Sequence, residues 1–401
     1  MVKYIIRLKF TLLAIIIKLS FDGLNAQSYT KSMLRIPDTG QKNSYTSTFG
    51  EDNDYTINWP YFIKHNDGTC TDTVTGLMWQ ILDGGEMTIE QARNYCDTLQ
   101  LGGYSDWRLP TPLEAFSILN HQNNNPALDI SIFTKTAAEY WWTSVSQTND
   151  ITKIWCTNAG GGIGNHPKSE TISAGGTKKF HVRAVRDKTS PVTLNNRFID
   201  NGDGSISDLF TDLKWQKTSN ASALSWEDAL IYAEDLVLGN DSNWRLPNIK
   251  ELQSLHDVDK NSPCVNSLLA TNAGNHKFWS STSLPNQTTK AWYWETQIGI
   301  TTYDLKTNLN YVWCVSNNKG QSSKIEAEHK TESIQAFPNP FHQFIILSDN
   351  IKNTYLRLYS QDGRCIYKGE AIEKQDFSEL KAGLYWIITE NNQAIKIIKT
   401  Q

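Results

Sequence analysis

Three groups of side chains in this sequence are of types that could do chemistry. The first is a carboxylate-rich turn, Asp200-x-x-Asp203-Gly204-x-x-x-Asp208, whose hard oxygen ligands in a Gly-containing loop suit calcium. It lacks the distal Glu of a complete EF-hand, and the matching turn upstream keeps only Asp67 and Asp72, so a plain hairpin turn explains both. The second group is a pair of dipeptides, Trp107-Arg108 and Trp244-Arg245. Trp and Arg dominate binding hot spots. Both dipeptides nevertheless recur at fixed distances from other aromatics, which favours a buried Trp beside a paired or stacked Arg. The third group is Trp141, Trp155, Trp292 and Trp294, in the segments that differ most between the two halves. An exposed aromatic face stacks on a sugar ring while nearby Asn or Asp takes the hydroxyls. Core packing is the competing account of each ring.

A Gly-rich stretch from Gly160 to His166, continuing to Gly175-Gly176, has no counterpart in the second half and offers Asn165 and His166 as further ligand candidates. Loops of this kind on a rigid frame are where function tends to sit; a plain surface excursion is the alternative. Catalytic constellations are missing: there is no Gly-x-Ser-x-Gly, no phosphate loop and no Cys/His pair at a recognisable spacing. The eight histidines do not cluster. The expectation is a binding protein rather than an enzyme, with no cofactor.

The elements that must position these residues come in two sets. Trp107-Arg108-Leu109-Pro110 recurs as Trp244-Arg245-Leu246-Pro247. Asp72 precedes Trp79 by 7 positions and Asp208 precedes Trp215 by 7; Arg108 precedes Trp142 by 34 and Arg245 precedes Trp279 by 34. The chain therefore carries a duplication, 60–187 and 197–317, with Trp79, Trp107, Arg108 and Trp142 in one copy answering Trp215, Trp244, Arg245 and Trp279 in the other. Each copy opens with a hairpin ending in Leu77-Met78-Trp79 or Leu213-Lys214-Trp215. Thr88 and Ser225 then precede amphipathic, acid-led helices, with Ile89, Ala92, Cys96 and Leu99 or Trp226, Ala229, Ala233 and Leu236 inward. A second short helix after Pro110 or Pro247 carries Glu114 or Glu251. Aromatic strands follow, and His181 to Arg186 or Tyr311 to Val315 close the unit. This predicts an α+β domain of two helices on a small, mostly antiparallel sheet.

The net charge of −4 supplies no basic field for nucleic acid. Lys3, Arg7 and Lys9 followed by the apolar run Phe10 to Ile17 and by Leu24-Asn25-Ala26 predict a signal peptide over 1–26. That run is too short to span a bilayer, and no later segment is long and apolar enough, so no transmembrane segment is expected in the mature chain. Six cysteines in an exported chain point to disulfides rather than metal, and their connectivity cannot be deduced from spacing.

The ordered landmarks Asp72-x-x-Thr75-Gly76-Leu77-Met78-Trp79, Gly102 to Pro110, Tyr140 to Ser144 and Val182-Arg183-Ala184-Val185-Arg186 resemble the Lcl C-terminal domain family, in both copies. Residues 27–59, with Pro37-Asp38-Thr39-Gly40-Gln41 and Gly50 to Tyr55, look like the leader found ahead of such domains. The resemblance implies a fold similar to C-type lectins and to the formylglycine-generating enzyme group. It also implies extracellular ligand binding, with sulfated polysaccharide known for some members, and no catalysis; a surface protein is the alternative partner. The family pairs a first-helix Cys with one in the last strand. Here Cys96 faces Ala184, and Ala233 faces Cys314. The resemblance therefore implies substitutes, Cys264 with Cys314 and Cys96 with Cys70 or Cys156, or a bridge between copies from Cys96 to Cys314.

After a polar linker over 318–333, the segment 334–401 alternates strands with turns, including Asp362-Gly363-Arg364 and Leu380 to Tyr385. It closely resembles the type A sorting domain of the type IX secretion system. That resemblance implies passage through the periplasm, contact with the secretion machinery, cleavage of the tag, and release or surface attachment. Cys365 would leave with the tag, so one of the five remaining thiols is expected to be unpaired or intermolecular.

Overall fold

The computed structural model describes residues 28–170, 177–269, 273–317, 336–337, 341–347, 355–360, 364–389 and 394–400. The predicted signal peptide and linker lie outside them. The chain divides into two compact units, 1–319 and 320–401.

In the first unit each copy builds a four-stranded antiparallel sheet of the same strand order. In copy one Val185–Asp187, Leu77–Gln80, Thr69–Asp72 and Phe62–Lys64 lie side by side. In copy two the order is Val315–Asn317, Leu213–Gln216, Ser205–Asp208 and Phe198–Asp200. Four helices follow the predicted pattern: α1 (Ile89–Thr98), α2 (Pro112–Ser117), α3 (Trp226–Glu234) and α4 (Ile249–Ser254). Their starts are dictated locally. Thr88, Thr111, Ser225 and Asn248 each accept a backbone N–H of the first turn, as N-caps do. The second helices begin two residues later than the prolines suggested, because Thr111 and Asn248 close capping boxes with Glu114 and Glu251.

The remaining strands merge into one eight-stranded sheet that crosses both copies. Its order is Lys277–Ser283, Lys290–Glu295, Thr301–Leu305, Ile163–Pro167, Asp150–Asn158, Tyr140–Gln147, Phe180–His181 and Glu86–Met87. The seam is the antiparallel bridge of Thr301 to Ile163. The Gly-rich stretch is thus corrected: its described part forms a turn at Gly160 to Gly162 and then the strand Ile163–Pro167, whose counterpart in copy two is Thr301–Leu305, and it joins the copies instead of projecting from them. Residues 171–176 lie outside the described set.

Each copy keeps a private apolar cluster under its first helix, around Trp107 and Trp142 or Trp244 and Trp279. A third cluster is shared, and contains Met33 and Ile36 of the leader, Trp79 and Trp155 of copy one, and Trp215, Trp292 and Trp294 of copy two. The leader is part of this fold. Tyr29–Lys31 pairs with Val192–Leu194 between the copies, while Asp38, Thr39, Gln41, Glu51 and Asp52 are buried.

The second unit holds a four-stranded antiparallel sheet ordered Cys365–Gly369, Leu356–Ser360, Gly383–Thr389 and Ala394–Lys399. Ala336–Phe337 pairs with Ile346–Leu347. Its own core gathers Phe341, Ile345, Leu358, Ile387 and Ile397. No helix among the described residues is long and apolar enough to cross a membrane.

Candidate functional site

The tryptophans proposed as a sugar platform are buried. Trp141, Trp155, Trp292 and Trp294 all have 6% exposure or less, and all four lie within the core shared by the copies. Trp141 donates its indole N–H to Asp83 Oδ2 at 3.2 Å. Burying such a ring contributes about 4–6 kcal/mol by area, and stacking on a ligand returns about 0.5–1.5 kcal/mol; surfacing a ring for a ligand would not balance. Asn165 and His166 are half-buried on the seam-side strand. The His166 ring packs edge-on to Tyr140 and Phe180, at 4.5 and 5.1 Å between centroids, and burial lowers its pKa.

The calcium reading is also corrected. Asp208 is buried and engages Arg197 through both oxygens, at 2.9 and 2.7 Å. Asp203 accepts the Ser205 N–H and hydroxyl, and Asp200 pairs with Lys217 at 2.5 Å. Each carboxylate closes its own turn, and among the described residues no group of three ligands converges.

The expected disulfides are not formed; all six cysteines are single thiols. Cys96 and Ala184 share the copy-one cluster, whereas Ala233 and Cys314 share that of copy two, so each copy carries half of a bridge. Cys70 and Cys264 belong to the shared core and Cys156 to the copy-one cluster. Burial raises the thiol pKa of all five, to about 12 for Cys70 and Cys96.

The duplicated signature forms the frame. Trp107 and Trp244 donate to the Leu101 and Leu238 carbonyls, both at 3.1 Å. Trp142 and Trp279 donate to Met87 and Leu224, at 2.8 and 3.0 Å. Trp79 and Trp215 are fully buried at matching positions, each with an unpaired N–H. Arg108 and Arg245 join their last strands through matching backbone bridges to Val185 and Val315.

Above those arginines the copies part ways. Arg108 grips Glu114 at 2.7 and 2.9 Å and Asp187 at 3.1 and 2.8 Å. Burial alone would raise the Glu114 pKa, but the Arg108 guanidinium holds it below the usual carboxylate range. This cluster forms the floor of an open groove of about 430 Å³, rimmed by Ser32, Arg93, Asp97 and Ser144. The Arg108 side chain is 32% exposed there.

Arg245 grips Glu251 at 2.7 and 2.6 Å in the same way, but its side chain is only 5% exposed. The leader covers it. The Tyr55 ring lies 5.5 Å from the Arg245 guanidinium carbon, and the Tyr55 hydroxyl donates to Glu234 at 2.5 Å. Glu51 accepts the Ser283 hydroxyl and Asp52 the Thr282 hydroxyl, both at 2.5 Å. The sequence marked Arg108 and Arg245 as a matched pair but did not distinguish an open groove from a covered one. A further signal was a leader rich in hydrogen-bonding side chains from Asp38 to Tyr55.

The profile of the Lcl C-terminal domain family matches residues 68–186 and 204–316, more than half of the chain. That of the secretion system C-terminal sorting domain matches 335–400. No curated protein and no solved structure matches. The two profile matches fall on the two copies and on the separate C-terminal unit. The chain therefore belongs to the Lcl C-terminal domain family, as a tandem pair followed by a type IX secretion sorting domain that marks it for export to the cell surface or beyond.

Proposed function

We propose that this protein is exported with the help of an N-terminal signal peptide and works outside the cell by binding, as an adhesive or interaction module without catalytic activity. Its two repeats are C-type-lectin-like, and its ligand seat is the groove above Arg108 in copy one. The observation that carries this reading is the contrast between the copies: Ser281 in copy two is 1% exposed beneath the leader, while its counterpart Ser144 is exposed. The equivalence is fixed by their backbone bonds to Pro247 and Pro110, at 2.9 and 2.8 Å. The charged groups on the groove floor satisfy one another, which supports recognition rather than proton transfer.

Two ligand classes divide the possibilities, extracellular polysaccharide and surface protein. Loss of the aromatic platform counts against neutral sugar stacked on tryptophan. Occupation of the copy-two groove by a polypeptide favours protein. The test is binding of the full chain to a glycan array and to a panel of surface proteins, beside the Ser144→Trp variant, whose added ring fills the groove. Binding that disappears in the variant supports the seat; binding that survives unchanged moves it elsewhere.

A further inference from the structure

The copies are duplicates, so the resident of one groove indicates what the other can accept. Glu234, which takes the Tyr55 hydroxyl, corresponds to Asp97 on α1, one position after the matched pair Ala233 and Cys96. Ser283, which Glu51 engages, corresponds to Ser146, and Arg245 to Arg108. The acceptor, the hydroxyl and the guanidinium that hold the leader in copy two are thus all present in copy one. Asp97 is exposed and Ser146 half-buried there.

The differences keep the seat usable. Asp187 stands where copy two has Asn317, and with Glu114 it fixes the edges of the Arg108 guanidinium. Hydrogen bonds in the guanidinium plane leave its faces for an aromatic ring. Arg186 shows the same preference nearby, with its guanidinium carbon 3.7 Å from the Tyr104 ring centroid. Val145 replaces Thr282, removing the hydroxyl that bonds Asp52 in copy two, and Arg93 replaces Leu230, adding a cation on the rim.

Resting on the groove reading above, we propose that copy one binds an extended segment of a partner protein that carries a tyrosine. The ring lies over Arg108 and the hydroxyl donates to Asp97, as Tyr55 does over Arg245 and to Glu234. The phenol is the group that fits, because it offers a π face to the guanidinium and a donor to the carboxylate at once.

The probe is a fluorophore-labelled synthetic peptide of residues 46–57 of this chain, added to the full protein and read by fluorescence polarisation. A heparin-type oligosaccharide serves as the second probe. The expected result is saturable peptide binding that Ser144→Trp abolishes. Asp97→Asn, an exposed and conservative change, should weaken it about tenfold, as should Tyr→Ala within the peptide. Glu234→Gln should not weaken it, since Glu234 belongs to the copy-two groove and takes no part in the seat above Arg108. Peptide binding that ignores Asp97→Asn and follows Glu234→Gln overturns the inference, because the probe is then merely replacing the leader. Should the oligosaccharide bind in a Ser144→Trp-sensitive way and the peptide not bind, the tyrosine inference falls and the groove reading stands. If neither probe responds to Ser144→Trp, both fall.

Discussion

His256 of copy two packs edge-on to Trp155 of copy one, with ring centroids 4.8 Å apart and planes at 75°. The contact is reciprocated: His121 of copy one meets Trp292 of copy two at 5.3 Å and 85°. His121 also donates through Nε2 to the Gly161 carbonyl at 3.0 Å. The two copies therefore exchange a histidine across their seam, each ring capping the tryptophan of the other's second sheet strand. Both copies accordingly lie within a single compact unit.

Both histidines are held neutral by burial, which lowers the pKa of His256 to about 4 and that of His121 to about 3. Below about pH 6.5 the unfolded chain takes up a proton that the native state refuses. The His256 contribution to stability is therefore intact above pH 6.5 and lost as pH falls towards 4. Other buried groups oppose this, since burial raises the Asp38 pKa to about 6 and that of Asp52 to about 8, and acidification favours their native, protonated forms. A comparison with His256→Gln isolates the histidine. The stability of wild type relative to this variant should decline by about 1.4 kcal/mol per pH unit between pH 6.5 and 4, measured by urea unfolding at each pH.

The seam also depends on a glycine. Gly161 has φ +99°, and a Cβ there would lie 3.2 Å from the Ala127 Cβ and 3.3 Å from Trp292 Cζ2. Gly161→Ala should cost about 1–3 kcal/mol, seen as a lower urea midpoint. Gly164→Ala, on the strand that follows and with open space around its missing Cβ, is the control and should change stability much less.

Lys250 is 1% exposed, and its ammonium donates to the Asp38 carbonyl at 2.8 Å and to Ser117 at 2.7 Å, tying α4 to the leader and to α2. Lys250→Met keeps the stem and strands both carbonyls. A loss of about 2–4 kcal/mol is expected, with faster proteolysis of the leader, read by denaturant unfolding and limited digestion.

The divided cysteine pairs can be completed. Cys96 and Ala184 are both buried in the copy-one cluster, and Ala233 and Cys314 in that of copy two. Ala184→Cys or Ala233→Cys should each form one disulfide on oxidation, stabilising by about 2–4 kcal/mol. Thiol titration and the melting shift on reduction check this; a full complement of free thiols after oxidation would refute it.

The duplication, the hairpins, the starts of the two first helices and the sorting domain were legible in the sequence, because each is written in local or strictly periodic signals. Trp107-Arg108 and Trp244-Arg245 occupy matched frame positions, and the N-caps at Thr88 and Ser225 behave as their types demand. The tryptophans on the second strand misled for a definite reason. A residue facing outward from a single domain turns inward once a second copy covers it, and no spacing rule records that the Ile163 and Thr301 strands will pair.

The sequence by itself determined which elements form and that they form twice, since backbone propensity, capping and side-chain periodicity act over a few residues. Only the tertiary structure decided which surfaces stay open. It took the long-range placement of Tyr55 on Arg245, 190 positions away in the chain, to close one groove, whereas above Arg108 the leader reaches only the Glu114 edge, through the Ser32 hydroxyl, and the groove stays open. Burial is a property of the whole packed chain, and that is where the two otherwise equivalent copies became different.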